Sequence, residues 1–455
     1  MRLAVLGATG DLAMRHLLPA IALLLDHGEL PPSLSVAALG RESLATAEYR
    51  RRLSRRLDAD DRLRPTARRA LLDALRYQRV DLAAPASLAE ALGGAPAVVY
   101  LALPPWVLEE VLSALAEARL PPGSTLVFDK PFGLDGPSAR RLEERLTSSF
   151  GETDVFRADH FLFHAMSRDI TAFRSGDGPD GLGWNAEAVE RIGVTWDEAS
   201  ALAGRAAYYD RTGALRDMVQ SHLLQYLALL VSDGPARSGA SRSAEKAAVL
   251  DRLRPWSTPD LERAVFARYT AGRTRDGQVG AYIDEAGVDA GRSTETFVSL
   301  TLELDHRDWI GVPFSLRSDK ALGTGERAVE LLFRGAAKPP WRPLPAGATR
   351  AIRFEMASPG VAIEVVRDRT GVRSRHRLEV GQATAGLPAS AWLLRAVLEK
   401  DHRLALSSAE IASSWRLIDA IRDRWRSAGS ALYDYPAGST GPDIEGRPTA
   451  SEDDP

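Results

Sequence analysis

The chain contains no cysteine, which excludes disulfides, thiolate metal sites and a cysteine nucleophile. Lysine is nearly absent: only Lys130, Lys246, Lys320, Lys338 and Lys400 occur, and the other basic residues are arginines. Arginine is a poor substitute for a compact ammonium. These few lysines therefore mark positions to watch, the alternative being chance placement on the surface. No apolar run approaches the ~18 residues that a membrane helix needs. Neither sign of charge is in excess, with 58 Lys+Arg against 61 Asp+Glu and a net charge of −3. That balance excludes a polybasic binder of nucleic acid or membrane, although a local basic site can still hold an anion. Met1-Arg2-Leu3 leads into an apolar strand rather than a signal peptide, so a cytoplasmic enzyme is expected.

What is present is a globular composition, 45% hydrophobic and 26% charged, over 455 residues. That length exceeds what one hydrophobic core usually supports, so two domains are expected. Met1 to Leu6 is a short apolar run ending at Gly7-Ala8-Thr9-Gly10. A helical pattern follows through Leu17, Leu18, Ile21, Leu24 and Leu25. Further strands are expected at Leu34–Leu39, Ala97–Leu103 and Ser124–Phe128, the last running into Asp129-Lys130-Pro131-Phe132-Gly133. Strands alternating with helices indicate an α/β domain, a Rossmann-type doubly wound parallel sheet over residues 1–155. Gly176 to Gly183 reads as an exposed loop. Beyond it, Val189–Trp196, Val265–Tyr269, Thr296–Leu304 and Ala351–Phe354 alternate as strands of a large, mainly antiparallel sheet with one exposed face. Helical patterns lie at Leu215–Val231, Ala389–Leu398 and Ala409–Ser427. The second domain is thus α+β over residues 156–437, and residues 438–455 are polar and expected to form a loose tail.

A strand, then Gly7-x-x-Gly10-x-x-Ala13, then a helix is the context that a dinucleotide-binding turn requires. Glycines let the backbone approach a pyrophosphate, whose charge is met by the helix N-terminus. Any tight strand-to-helix turn also favours glycine. The end of the second strand chooses the cofactor: a carboxylate takes a ribose 2′-hydroxyl, an arginine a 2′-phosphate. This chain has both, Arg41 followed by Glu42. The balance favours NADP, with NAD possible.

Two segments hold polar residues among apolar neighbours: Arg157-Ala158-Asp159-His160-Phe161-Leu162, and Arg216-Asp217-Met218-Val219-Gln220-Ser221-His222-Leu223-Leu224-Gln225. His222 stands where a core residue is expected. An imidazole suits proton abstraction from a hydroxyl near neutral pH, and needs a carboxylate to fix its tautomer. Asp217 lies five residues away, roughly 140° around an α-helix from His222. Asp159, on another segment, is then the candidate. The alternative is a hydrogen-bonded core histidine.

These residues resemble the glucose-6-phosphate dehydrogenase family. Gly7-Ala8-Thr9-Gly10-Asp11-Leu12-Ala13 looks like its nucleotide turn. Ala102-Leu103-Pro104-Pro105 and Asp129-Lys130-Pro131-Phe132-Gly133 look like its next blocks, the latter with Asp for the usual Glu. Asp159-His160, Arg216-Asp217-x-x-Gln220-Ser221-His222, and Gly311-Val312-Pro313-Phe314 with Lys320-Ala321-Leu322 follow in the family's order. The resemblance implies a two-domain homodimer oxidising C1 of a hexose 6-phosphate to the lactone, with hydride transfer to NAD(P)+ and no metal. It makes His222 the general base and Asp159 its orienting partner. Lys130, Glu198, Asp217 and Lys320 would hold sugar oxygens, and His160 the 6-phosphate. Gly7, Thr9, Gly10, Asp11, Leu12, Arg41, Pro104 and Lys130 would line the cofactor.

The family's Asp-His-Tyr-Leu-Gly-Lys-Glu reads Asp159-His160-Phe161-Leu162-Phe163-His164-Ala165 here. A tyrosine hydroxyl and a lysine ammonium are lost, and His16 replaces a basic residue found near the cofactor phosphate in some members. One explanation is a rebuilt phosphate site, with His160, His164 and Arg168 spaced by four and aligned on one helix face. The other is a changed substrate, such as an amino-sugar phosphate or an unphosphorylated hexose. A non-catalytic homologue that binds nucleotide or sugar phosphate is the reading from a different class.

Overall fold

The computed structural model describes all residues except 176–183, 203, 234–240, 257–263, 338–347, 357–360, 367–372, 379–386, 430–431 and 444–455. The expected loop at 176–183 and most of the expected tail lie outside the described residues. Two compact units are formed, each from several stretches of chain: Met1–Gly176, Ala228–Asp251 and Glu379–Arg416 in the first, and Asp177–Leu227, Arg252–Leu378 and Leu417–Pro455 in the second. The division is therefore not the single break near residue 155 that composition suggests. Helix-forming segments late in the chain, including Ala389–Leu398, return to the first unit.

The first unit carries a six-stranded sheet of β1 (Arg2–Leu6), β2 (Ser35–Gly40), β3 (Leu75–Arg79), β4 (Val98–Leu101), β5 (Thr125–Asp129) and β6 (Val155–Ala158). All pairings are parallel, in the order β3-β2-β1-β4-β5-β6. The order reverses at β1, and the crevice outside the carboxyl ends of strands at such a switch point is where doubly wound sheets bind ligands. β1 and β5 are near-continuous apolar runs because both their faces are covered, and Val5, Leu6, Val127 and Phe128 are fully buried.

The second unit is built on a mixed, mainly antiparallel sheet. Its strands are β7 (Val189–Trp196), β8 (Leu253–Pro255), β9 (Val265–Thr270), β12 (Phe297–Leu304), β13 (Phe314–Asp319), β14 (Arg327–Ala337), β15 (Ala348–Glu355), β16 (Val361–Val366), β17 (Arg373–Leu378) and β18 (Tyr433–Pro436). A hairpin of β10 (Gly272–Thr274) and β11 (Gly277–Val279) stands apart. The sheet order is β17-β16-β15-β14-β7-β13-β12-β9-β18, with β8 on β12. Two pairs are parallel, β7 with β13 and β9 with β18. Residues 438–441, expected to be loose, are tied down: Gly438 N–H donates to Ala321 O at 2.7 Å, and Gly323 N–H to Ser439 O at 2.8 Å. Among the described residues no helix is long and apolar enough to cross a membrane.

The segment Leu215–Val231 departs from its expected regular α-helix. Leu215–Leu223 is a π-helix that continues as α-helix over Leu224–Val231. It packs on β7 and β13. In a π turn the bonds run from i to i+5, so the 3.6-residue spacing of an α-helix does not apply.

Candidate active site

In the first unit, the expected cofactor residues stand just past the carboxyl ends of the parallel strands. Gly7 follows β1, Arg41 follows β2, Pro104 opens the helix Pro105–Ala118 after β4, and Lys130 follows β5. The turn is held by Gly7 and Ala8 N–H groups donating to Leu39 O at 2.9 and 3.0 Å. Gly7 has φ +82°, and a Cβ there would stand 2.2 Å from Ala102 O. Only glycine fits such a position, and the resulting open backbone is the cradle that a pyrophosphate needs. Gly10, Asp11 and Leu12 lead from it into the helical run Ala13–Asp26. Asp11 is exposed and pairs with Arg15 at 3.0 Å. At the adenosine end, Arg41 is exposed. Glu42 pairs with Arg52 at 2.8 Å and accepts a hydrogen bond from Thr9; those two partners, Thr9 first, hold its carboxyl below the usual range.

Asp159 follows β6 on the same edge and is fully buried. It caps the short 3₁₀ turn His160–Phe163, accepting the Phe161 N–H at 3.0 Å. Burial pushes its carboxyl up to about 6, against the pull of His160, Phe161 N–H, Lys130 and Lys246. His160 is ion-paired with Asp129 at 3.3 Å. Lys130 donates its N–H to Ala158 O at 3.1 Å and to the Asp129 carboxylate at 2.8 Å, locking the ends of β5 and β6 together.

The proposed alignment of His160, His164 and Arg168 on one helix face is not found. His160 lies in the 3₁₀ turn, His164 is extended (φ −66°, ψ 158°), and Arg168 belongs to the separate helix Ala165–Ser175. The break arises because Asp159 diverts the chain into its own capping turn. His160 and His164 remain neighbours, their ring centroids 6.2 Å apart. Arg168 turns elsewhere. It donates to Phe163 O at 2.7 Å and its guanidinium lies 4.7 Å over the Trp392 ring.

In the second unit, His222 is 1% exposed in the π segment. Asp217 and His222 lie in the same π segment, to which the angular spacing of a regular α-helix does not apply. Glu198 and Lys320 follow the parallel neighbours β7 and β13, which brings them together: Lys320 Nζ lies 2.6 Å from the Glu198 carboxylate. Lys320 is 3% exposed and sits 5.4 Å over the ring of Tyr209. The Tyr209 phenol is pushed well above its ordinary value by burial, then by the charges of Asp217, Glu295, Tyr435 and Glu198. Sequence reasoning missed Tyr209, because a tyrosine in Ala206-Ala207-Tyr208-Tyr209 carries no spacing signal. It also missed Asp129 as the partner of His160.

Of the few lysines, Lys320 and Lys246 are buried in ion pairs, the latter 2.6 Å from Glu410. Lys400 is exposed, and Lys338 lies outside the described residues. Lysine was retained at demanding positions, but not only there.

The glycine turn at the switch point of a doubly wound parallel sheet gives the first unit the architecture of a dinucleotide-binding domain. The sequence models described as "Glucose-6-phosphate dehydrogenase, NAD binding domain" and "Glucose-6-phosphate dehydrogenase, C-terminal domain" match residues 4–168 and 181–453. The chain belongs to the glucose-6-phosphate dehydrogenase family. It is 30% identical to the glucose-6-phosphate 1-dehydrogenase of Treponema pallidum, over 97% of this chain and 92% of that one. The crystal structure of the Mycobacterium avium glucose-6-phosphate 1-dehydrogenase superposes with a TM-score of 0.80 at 26% identity, covering 97% and 95% of the two chains. A glucose-6-phosphate dehydrogenase solved in complex with its substrate, glucose-6-phosphate, is equally similar, with a TM-score of 0.80 at 25% identity over the same shares.

Proposed function

We propose that this protein oxidises C1 of glucose 6-phosphate to the lactone with NADP+ as acceptor, NAD+ being the second choice. The observation that carries the reading is His222, a buried imidazole in the π segment that also carries Asp217, in a chain that matches the family along both halves. His222 takes the proton of the C1 hydroxyl as the C1 hydrogen leaves. Asp159, ionised above about pH 6, orients the imidazole and stabilises its charged form. Glu198, Lys320 and Asp217 fix sugar hydroxyls, and Lys130 serves both sugar and cofactor. His160 and His164 take the 6-phosphate, in place of the family's lost tyrosine and lysine. The Gly7–Leu12 turn, Arg41 and Pro104 hold the dinucleotide, and its nicotinamide supplies hydride acceptance when bound. The catalytic gain is chiefly positioning and proton removal. A homodimer in the cytoplasm completes the proposal, with the broad sheet of the second unit offering a face for two-fold pairing.

The test is the rate of nicotinamide reduction with glucose 6-phosphate, glucosamine 6-phosphate and glucose. Glucose 6-phosphate should give the highest kcat/KM. His222→Asn should lower kcat by a factor on the order of 10²–10⁴ and leave NADP+ binding nearly unchanged. Asp159→Asn should move the acid limb of the pH profile, whereas Asp217→Asn should raise KM and leave that limb in place. The reverse assignment would exchange the roles of the two carboxylates, and an unchanged kcat in His222→Asn would remove the base.

A further inference from the structure

The second unit contains a cavity of about 300 Å³ to which the catalytic reading gives no role. Four arginines line it, Arg216, Arg292, Arg422 and Arg426, with Phe266 and Trp425 forming its aromatic wall. Phe266 and Trp425 pack with ring centroids 4.5 Å apart. Glu295 lies at the cavity wall, buried, and accepts the N–H of Leu215 at 2.9 Å. Leu215 opens the π segment that carries Asp217 and His222.

The charge at this wall is only partly offset. Arg216 donates to Thr212 O at 2.6 Å, Arg292 lies 3.2 Å from Asp289 and 3.5 Å from Asp210, and Arg422 lies 3.1 Å from Asp419. Arg426 is exposed, and its charge, like that of Arg216, acts on the buried Glu295 carboxylate. Two donors at the wall are buried without a hydrogen-bond partner, Trp425 Nε1 and Arg422 Nε, the latter 3.8 Å from the Asp423 carboxylate, and native structures seldom leave such a donor unexplained. Ser293, between Arg292 and Thr294, holds a left-handed backbone with φ +51°. It ends the 3₁₀ turn Ala290–Arg292, a place where a left-handed residue is common.

We propose that this cavity binds a nucleoside monophosphate, its phosphate on the arginine forks and its base against the Phe266–Trp425 wall. Planar guanidinium forks match phosphate oxygens in pairs, and the aromatic wall suits a heteroaromatic ring better than a bare anion. The volume is at the low end of small-molecule pockets, roughly 300–1,000 Å³, which suits a mononucleotide rather than a dinucleotide. None of the lining residues has been given a part in catalysis or in holding the coenzyme, so the site stands or falls independently of the proposed reaction.

The experiment is calorimetric titration of the full chain with AMP in saturating NADP+, which blocks the dinucleotide turn. One site per chain should remain measurable. Arg426→Ala, a change at an exposed side chain, should weaken that binding about tenfold or more, the loss expected for one charged hydrogen bond. Inorganic phosphate, titrated in parallel, should bind at least about tenfold more weakly than AMP for want of the base. Loss of all AMP binding in NADP+ would assign it to the dinucleotide turn and overturn the proposal. Unchanged affinity in Arg426→Ala would do the same, and phosphate binding as tightly as AMP would overturn the nucleoside assignment.

Discussion

The Nδ1 atom of His160 lies 3.3 Å from one carboxylate oxygen of Asp129 and 3.4 Å from the other. Burial alone would lower the imidazole pKa. The charge and hydrogen bond of Asp129, with the charge of Asp159, outweigh burial and the repulsion of Lys130, and the net shift is upward. A histidine raised in the folded state contributes stability that is complete below its unfolded value of about 6.5 and is lost as pH rises through the folded value. Asp129→Asn should lower the His160 midpoint in an NMR titration and flatten that pH-dependent loss in urea melts. The KM for glucose 6-phosphate should also begin to rise at a lower pH in the variant. If the midpoint stays where it was, Asp129 is not what holds the proton.

Asp159 presents the opposite balance, a carboxyl raised by burial with no net gain from its surroundings. Its value of about 6, against an unfolded aspartate near 3.9, corresponds to about 3 kcal/mol against the ionised folded form. The sign follows from linkage: stability from this group is highest below about pH 4 and is lost as pH rises through about 6. Asp159→Asn keeps an oxygen for the Phe161 N–H. It should raise stability by about 3 kcal/mol near pH 8, by about half that near pH 5, and lower kcat at both. Urea melts at the two pH values check this, and a gain equal at both would remove burial as the cause.

The sequence was most legible where one physical signal dominated. The expected strand Val189–Trp196 and helix Ala389–Leu398 coincide with the observed elements, because their apolar periodicity is uninterrupted. β6 was illegible. It is four residues long and contains Arg157, buried at 1% exposure between Glu143 and Glu152, so its central charge hides it. The edge strand β3, Leu75–Arg79, carries Arg76, Gln78 and Arg79 and reads as surface. In the candidate site, residue types pointed to His222 and Asp159 and the family resemblance to Glu198 and Lys320, but pairings such as Glu198 with Lys320 depend on backbone paths that periodicity does not encode. The 3₁₀ turn after Asp159 invalidated the alignment of His160, His164 and Arg168, and the π segment lies outside the 3.6-residue spacing altogether.

Gly213 sets the start of the base-bearing segment. It has φ +68°, and a Cβ there would stand 2.3 Å from Glu295 Oε1, the carboxylate that accepts the Leu215 N–H. Gly213→Ala combines a left-handed backbone with displacement of that carboxylate. The expected cost is about 2 kcal/mol or more, read by thermal unfolding, with a fall in kcat as the first π turn shifts. A stable, fully active variant would show that Glu295 does not need its present position.

Arg168 is engaged with Phe163 O and the Trp392 ring, so its loss should register in packing. Arg168→Ala should destabilise the protein by about 1–2 kcal/mol and change KM for glucose 6-phosphate and for glucose by similar factors. A rise confined to the phosphorylated sugar would return Arg168 to the phosphate site.

Cofactor preference turns on how far the charge of Glu42 is already offset. Its carboxylate meets Arg52 at 2.8 Å as well as Thr9, so its repulsion of a 2′-phosphate beside Arg41 is weakened in place. Glu42→Ser should therefore raise the ratio of kcat/KM for NADP+ over NAD+ only by a few-fold, since an exposed ion pair is weakened by solvent. Arg52→Ala leaves Glu42 without that counter-charge and should lower the same ratio. In the double variant the loss due to Arg52→Ala should largely vanish, because its target is gone, and this non-additivity identifies the pair as the determinant. Strictly additive effects would mean that Arg52 acts on the coenzyme directly and that Glu42 plays no part in the choice.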